Sequence, residues 1–273
     1  MHALDAPAVV VALLTPFGRD GHPDAAALRA HVEYLIEEGV DGLMPCGTTG
    51  EGPLLSEAEV ASVVATVVEA ARGRVPVLAH VGRPDTAGTV RLARRTLADG
   101  ADGVSAVVPY YYALEDAQIV AHYRALIDVA DATPAYAYTI PSRTGNELSL
   151  EAARSLARDG LAGIKDSTKS FERHRDFLGT GLAVLMGSDG LVAQALKAGA
   201  AGCVSAVANV RPDVLVRLKE AAAAGREDEA SAAQEEVSAL RAELSRGRPL
   251  VGLKRAAAER LSGYRSSVRA PLG

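Results

Sequence analysis

The 273-residue chain has no tryptophan, three phenylalanines, three methionines and two cysteines. Cys46 and Cys203 stand far apart, which excludes a disulfide framework and any cysteine-rich zinc motif and suits a reducing compartment. No stretch reaches the roughly 18 uninterrupted apolar residues of a membrane helix, so no membrane span is expected. The opening MHALDAPAVV lacks a basic segment leading into an apolar run, so no secretion signal is expected either. Basic stripes and acidic blocks are equally missing, and the net charge of −5 with a pI near 5.7 gives no reason to expect nucleic acid. These absences together point to a soluble, cytoplasmic protein. Lysine is also scarce, with five lysines among 29 basic residues.

What is present is a regular alternation. With 48% hydrophobic residues, the chain can build one large buried core. Short apolar runs fall at Val9–Phe17, Asp41–Thr48, Val75–Gly82, Gly103–Tyr110, Thr133–Pro141, Leu161–Ser167, Leu182–Ser188 and Ala201–Asn209. Their hydrophobicity is continuous rather than alternating, as a parallel strand covered on both faces requires. Helical stretches rich in Ala, Leu, Glu and Arg separate them. Ser56–Arg72 opens with Ser56 and Glu59 in capping-box spacing, and Ala113–Asp131 is a second. Glycines in EEGVDG (Glu37–Gly42) and LADGADG (Leu97–Gly103) sit where left-handed helix stops are expected. Eight strand-then-helix units leave a doubly wound sheet or a closed barrel. The count favours the barrel, and no GxGxxG follows the first run as a dinucleotide-binding fold would need. The expected fold is α/β, a single (β/α)8 TIM barrel with additional C-terminal helices near Glu227–Ser245 and Pro249–Ser262. Residues 1–210 then hold the strands and most helices. Residues 211–273 hold the last barrel helix and a helical extension of the same domain.

Function in such barrels lies at the carboxyl ends of the strands. Lys165, in Gly163-Ile164-Lys165-Asp166, lies inside an otherwise apolar run. A lysine in a barrel interior is costly unless its amine is neutral or paired, and a neutral amine is what attack on a ketone requires. The plainer alternative pairs Lys165 with Asp166 or leaves it at the rim. Gly47-Thr48-Thr49-Gly50-Glu51 offers backbone amides and hydroxyls suited to a carboxylate, although Gly and Thr are common in such turns. In Tyr138-Thr139-Ile140-Pro141-Ser142-Arg143-Thr144-Gly145, Tyr138 falls one strand from Lys165, within reach to pass protons. Arg143, on the following loop, could grip a carboxylate with two hydrogen bonds or be a solvated surface group. Pro109-Tyr110-Tyr111-Tyr112 suggests an interface, a proton path or simple aromatic packing. His80 could line the pocket or be a satisfied core residue, Asp189 and Asn209 stand where substrate could be touched, and both cysteines read as small buried residues. The remaining histidines read as helix or terminal surface positions.

These strand tips together resemble one family, the pyruvate-dependent class I aldolases that include dihydrodipicolinate synthase and N-acetylneuraminate lyase. The likeness runs through Thr15–Phe17, GTTGE, the turn Val81–Thr86, PYY, YTIPSRTG, GIKDS, the turn Gly187–Asp189 and Gly202–Val210. It implies pyruvate held on Lys165 as an imine, with Tyr138, Thr48 and Tyr111 as a proton relay and Tyr111 reaching across a dimer interface. It also implies that the amides of Thr48 and Thr49 bind the pyruvate carboxylate, with Gly187 and the Val204 carbonyl lining the site. No metal or organic cofactor is implied. The expected partners are pyruvate and a small aldehyde or 2-keto acid, in a homodimer or homotetramer. Arg143 favours condensation with a carboxylated aldehyde such as aspartate semialdehyde. Gly52-Pro53 after GTTGE leans instead toward 2-keto-3-deoxy sugar acid aldolases, and Thr139 stands where the family's synthases usually have asparagine after the tyrosine. Pro84 and Gly88 replace the asparagine and glutamate of lysine-inhibited synthases, so no lysine inhibition is expected. A catalytically silent keto-acid-binding protein is the alternative of another class, and a metal-dependent aldolase would need a ligand cluster that the strand ends lack.

Overall fold

A computed structural model describes Leu4 and residues 7–273. Eight strands follow in chain order: β1 (Ala8–Ala12), β2 (Gly42–Met44), β3 (Leu78–His80), β4 (Gly103–Val107), β5 (Ala135–Thr139), β6 (Gly163–Asp166), β7 (Ala183–Met186) and β8 (Gly202–Ser205). Every pairing is parallel in the order β2-β1-β8-β7-β6-β5-β4-β3. A single parallel bridge between Leu43 and Val77 joins the two ends and closes the barrel. Among the described residues eleven helices surround it: α1 (Ala25–Glu37), α2 (Glu57–Ala71), α3 (Thr86–Ala98), α4 (Asp116–Ala130), α5 (Pro141–Thr144), α6 (Leu150–Arg158), α7 (Phe171–Leu178), α8 (Val192–Lys197), α9 (Pro212–Ala223), α10 (Glu227–Leu244) and α11 (Pro249–Arg260). No helix among the described residues is long and apolar enough to cross a membrane.

Local chemistry sets the helix ends. The Ser56 side chain accepts from the Glu59 amide while the Glu59 carboxylate accepts from that of Ser56, the reciprocal cap expected there. Asp24, Asp85, Ser149 and Ser170 cap four more helices through their side chains. Gly39 (φ 85°) and Gly100 (φ 96°) take the left-handed conformation at the stops read from EEGVDG and LADGADG.

Alternation along each strand divides the core. Val9, Val11, Val104, Ala106, Ile164, Val184 and Cys203 face outward into the layer beneath the helices. Ala8, Val10, Met44, Leu78, Tyr136, Leu185 and Val204 fill the barrel itself, giving it a packed floor. Gly163 permits that floor: a Cβ there would come 2.3 Å from the Ala183 carbonyl and 2.7 Å from the Tyr136 ring.

The strands are shorter than the apolar runs that announced them. Leu13, Leu14 and Phe17 are buried beyond the end of β1, because hydrophobicity reports burial, and loops folded over the barrel mouth are buried too. The surface reading of the histidines is corrected. His31, His122 and His174 are buried; His2 lies outside the described residues, and His22 has a largely exposed side chain. His31 shares a helical face with Leu28, Val32 and Leu35, so its periodicity carried the signal. Each buried ring has a partner: His31 with the Asn209 carbonyl at 2.9 Å, His122 with Thr86 at 3.0 Å and His174 with Asp166 at 3.0 Å.

Candidate active site

Strand register brings Lys165 and Tyr138 side by side, since Tyr138 pairs with Lys165 and Val107 with Tyr138. Both side chains enter the barrel above the floor. Lys165 is 4% exposed and Tyr138 3%, and the Lys165 amine lies 4.1 Å from the centre of the Tyr138 ring. The neighbour on the strand points the other way. Asp166 turns outward, where its carboxylate meets His174 at 3.0 Å and accepts from the Thr168 amide at 2.9 Å. The alternative of a Lys165–Asp166 pair is therefore set aside on geometry. A carboxylate one residue along a strand lies on the opposite face.

Thr48 completes a triangle at the mouth, its hydroxyl 3.4 Å from that of Tyr138. The loop carrying it is tightly wound. Cys46 (φ 63°) and Glu51 (φ 59°) are left-handed, and the amides of Glu51 and Gly52 bond to the carbonyls of Thr48 and Gly47. A Cβ on Gly52 would meet the Cys46 carbonyl at 1.8 Å, so the glycine after GTTGE is required by contact. The Thr15 hydroxyl donates to Gly50 at 2.7 Å, and Arg83 reaches the carbonyls of Gly52 and Leu55 at 3.2 and 2.9 Å. Thr49, partly buried beside Thr48, shares with it a small cavity lined also by Asp189 and Arg241.

His80 sits edge-on to Tyr138, ring centres 5.9 Å apart, and its Nε2 accepts from the Val107 amide at 3.2 Å. Burial first, then the charges of Lys165 and Arg83, push its pKa down to about 3. It is a neutral, satisfied wall of the site. Burial pushes the Cys46 thiol up to about 12, which leaves it unreactive.

The other expected positions divide. Gly187 packs its backbone on β6, its amide donating to the Asp166 carbonyl at 2.7 Å. Val204 belongs to the barrel interior. Arg143 is exposed and lies on the short helix α5 rather than on a loop, lining a cavity of about 300 Å3 with Thr48, Tyr110 and Ile140. Tyr111 is not brought to Thr48 and Tyr138 within this protomer: it is 85% exposed, has φ 85° and packs on Tyr112. Asp189 is buried, held by Arg241 at 3.3 Å, and burial raises its carboxyl above the usual range. Asn209 is corrected from a substrate contact to a clamp. Its amide donates to Ala12 and Ala206, and its oxygen accepts from the Leu14 amide.

Some supporting residues were missed. Asn146 donates to the carbonyls of Pro109 and Tyr112 at 2.8 and 2.7 Å, tying the tyrosine loop to the segment after β5. Lys254 on α11 is fully buried, paired with buried Glu51 and 4.1 Å from the Phe17 ring. Its scarcity value as one of five lysines was the same signal that drew notice to Lys165.

A closed (β/α)8 barrel with an inward lysine beside a tyrosine at its carboxyl mouth defines a class I aldolase type of site. Residues 6–273 match the family model described as the dihydrodipicolinate synthetase family, and the chain belongs to that family of lyases as a pyruvate-dependent class I aldolase. It is 44% identical over 273 residues to an uncharacterized DapA-like lyase of Halobacterium salinarum, covering 97% of this chain and 87% of the relative. It is 39% identical over 225 residues to a 4-hydroxy-tetrahydrodipicolinate synthase of Pelobacter propionicus, covering 81% and 77%. Among solved structures, dihydrodipicolinate synthase from Aquifex aeolicus superposes with a TM-score of 0.92 at 30% identity, covering 98% and 92%. YagE from E. coli K12, solved in complex with pyruvate, gives 0.93 at 27%, covering 97% and 92%. A Sulfolobus solfataricus 2-keto-3-deoxygluconate aldolase variant gives 0.89 at 27%, covering 97% and 89%.

Proposed function

We propose that this chain joins pyruvate to a short carboxylated aldehyde, a dihydrodipicolinate synthase-like condensation with aspartate semialdehyde being the best single reading, through an imine on Lys165. The observation that carries it is the placement of Lys165: buried, beside Tyr138, with the adjacent Asp166 committed to His174. The amine adds to the pyruvate carbonyl carbon, the carbonyl oxygen leaves as water, and a protonated imine remains. That cation draws electrons from the adjacent carbon, which loses a proton to give an enamine. The enamine carbon attacks the aldehyde, and the new alkoxide takes a proton from Tyr138. Water then hydrolyses the imine and returns the free amine. Cleavage is the same sequence reversed.

Thr48 sits at hydrogen-bonding distance from Tyr138 and passes protons onward. Tyr111 is the third relay member, supplied by a second copy of the chain; its exposure and left-handed backbone at the rim favour that role. The amides of Thr48 and Thr49 hold the pyruvate carboxylate, with the Val204 carbonyl and Gly187 beside it, and Arg143 takes the carboxylate of the aldehyde. The imine supplies the activation itself, so the scheme uses no metal or organic cofactor. The working form is a homodimer or homotetramer in the cytoplasm.

A second reading, cleavage of a 2-keto-3-deoxy sugar acid, is favoured by one observation. Asp189 lies buried in the cavity beside Thr48 and Thr49 with Arg241, a polar pair able to bind hydroxyls. Rates measured with pyruvate plus aspartate semialdehyde, against cleavage of 2-keto-3-deoxygluconate, separate the two. Faster turnover of the sugar acid would replace the first reading with the second.

A further inference from the structure

His80 ends β3 with its ring buried at the barrel mouth, edge-on to Tyr138 with ring centres 5.9 Å apart. No step of the imine scheme uses this ring. Its Nε2 lies 3.2 Å from the Val107 amide. An amide can only donate, so Nε2 carries the lone pair and the proton sits on Nδ1. The ring also hydrogen-bonds the Cys46 backbone, just before Thr48 on the same loop. Val107 in turn pairs with Tyr138 across β4 and β5, and the Val108 amide donates to the Tyr138 carbonyl at 2.9 Å. One imidazole therefore ties the loop carrying Thr48 to the strand pair carrying Tyr138.

The ring has little room to move. A Cβ on Gly82 would come 3.1 Å from the His80 ring and 2.6 Å from the Val107 amide, so on that side the ring lies against bare backbone. Tyr138 is thereby fixed by the His80 ring and by the Lys165 amine, 4.1 Å from its centre. Its hydroxyl stands 3.4 Å from that of Thr48, already long against the usual range of about 2.5–3.0 Å. A small outward shift of either group breaks that contact. Burial and the charges of Lys165 and Arg83 hold the His80 ring neutral, so it exchanges no proton near neutral pH; what it supplies is position. We propose that His80 is a positioning residue, holding the Tyr138 hydroxyl and the Thr48 loop within proton-transfer reach of each other. The inference rests on the Lys165 imine reading and deepens it by adding a residue that acts through Tyr138.

The test uses the full chain carrying His80→Leu, which keeps the volume but loses the acceptor, or His80→Gln, which keeps an acceptor for the Val107 amide. Each is made alone and together with Tyr138→Phe. The rate constant kcat is read on the faster of aspartate semialdehyde condensation and 2-keto-3-deoxygluconate cleavage, and borohydride trapping of pyruvate counts intact Lys165 sites. Misplacing a reacting group by about 1 Å costs on the order of 100-fold. His80→Leu is therefore expected to lower kcat by roughly 10- to 100-fold with trapped pyruvate unchanged. His80→Gln is expected to stay within about fivefold of wild type, since the acceptor is restored. Added to Tyr138→Phe, His80→Leu is expected to cost less than about threefold more, because the hydroxyl it positions is already gone. A role in packing alone gives the same loss in both backgrounds, and that result overturns the inference. A His80→Leu kcat within about threefold of wild type overturns it too. His80→Gln decides independently: a fall of more than about tenfold with pyruvate still trapped overturns the inference alone. A wild type that traps no pyruvate overturns the proposed function, and this inference with it.

Discussion

Replacing Lys254 with methionine removes the cation from a pair that is wholly enclosed. Both side chains are fully buried, and the amine also bonds the Ser267 carbonyl at 2.9 Å and lies 4.1 Å from the Phe17 ring. Burial first, with the charge of Arg269 adding to it, lowers the lysine's pKa despite the opposing pull of Glu51, the mark of a pair whose desolvation is incompletely offset. Methionine keeps most of the volume and leaves Glu51 as a buried carboxylate with the Arg269 amide as its remaining described donor. Removing one partner of a buried pair costs about 3–5 kcal/mol, and the surviving amide places this case near the lower end. For a chain of this size that corresponds to a fall in Tm of roughly 6–20 °C. Replacing both partners, Lys254→Met with Glu51→Gln, is expected to recover most of the loss, because no charge is then left stranded. Urea unfolding followed by circular dichroism, at one fixed protein concentration, measures all three variants against wild type. A Lys254→Met loss below about 1 kcal/mol, or a double variant no better than the single, would refute the reasoning.

Tyr138→Phe keeps the ring against Lys165 and His80, so Tm should hold while kcat falls by about 100- to 10,000-fold, the usual span for a lost proton-transfer group; a loss under tenfold in steady-state rates would remove Tyr138 from the mechanism. Acid should destabilise the fold through its buried histidines. His31, His80 and His122 are held at about 4, 3 and 4 by burial, below the roughly 6.5 of the unfolded chain. As pH falls through about 6.5 the unfolded state takes protons that the folded state refuses, so stability is present above that pH and lost below it, at up to about 1.4 kcal/mol per pH unit for each ring. Urea unfolding at pH 7 and pH 5 checks this, and equal stability at the two would contradict it. Millimolar lysine should leave the steady-state rate unchanged, since the family resemblance sets Pro84 and Gly88 against the asparagine and glutamate of inhibited synthases; a clear inhibition curve would overturn that reading.

The barrel was legible because eight continuous apolar runs with helices between them admit few other architectures. A continuous run does not say which face a residue takes, so Lys165 inward, paired with Asp166 or at the rim stayed open until the fold put Asp166 on His174. The Tyr138 facing Lys165 followed from adjacency of β5 and β6. The tertiary side-chain partners were not legible. Nothing local ties Asp166 to His174 or Asn146 to the tyrosine loop. The Glu51–Lys254 pair joins residues about two hundred positions apart, on a loop and a helix that meet only when the chain folds over the mouth. Asn209 misled for a related reason: an amide at a strand end suits a ligand and a backbone clamp equally well. Its three bonds to Ala12, Leu14 and Ala206 decided between them.

The most direct measurement is borohydride reduction in the presence of pyruvate, followed by intact mass and peptide mapping, with only five lysines to distinguish. One adduct per chain is expected, heavier by one pyruvic acid less one oxygen, confined to the peptide holding Lys165 and absent from Lys165→Ala. An adduct on another lysine, or full turnover by Lys165→Ala, would contradict it.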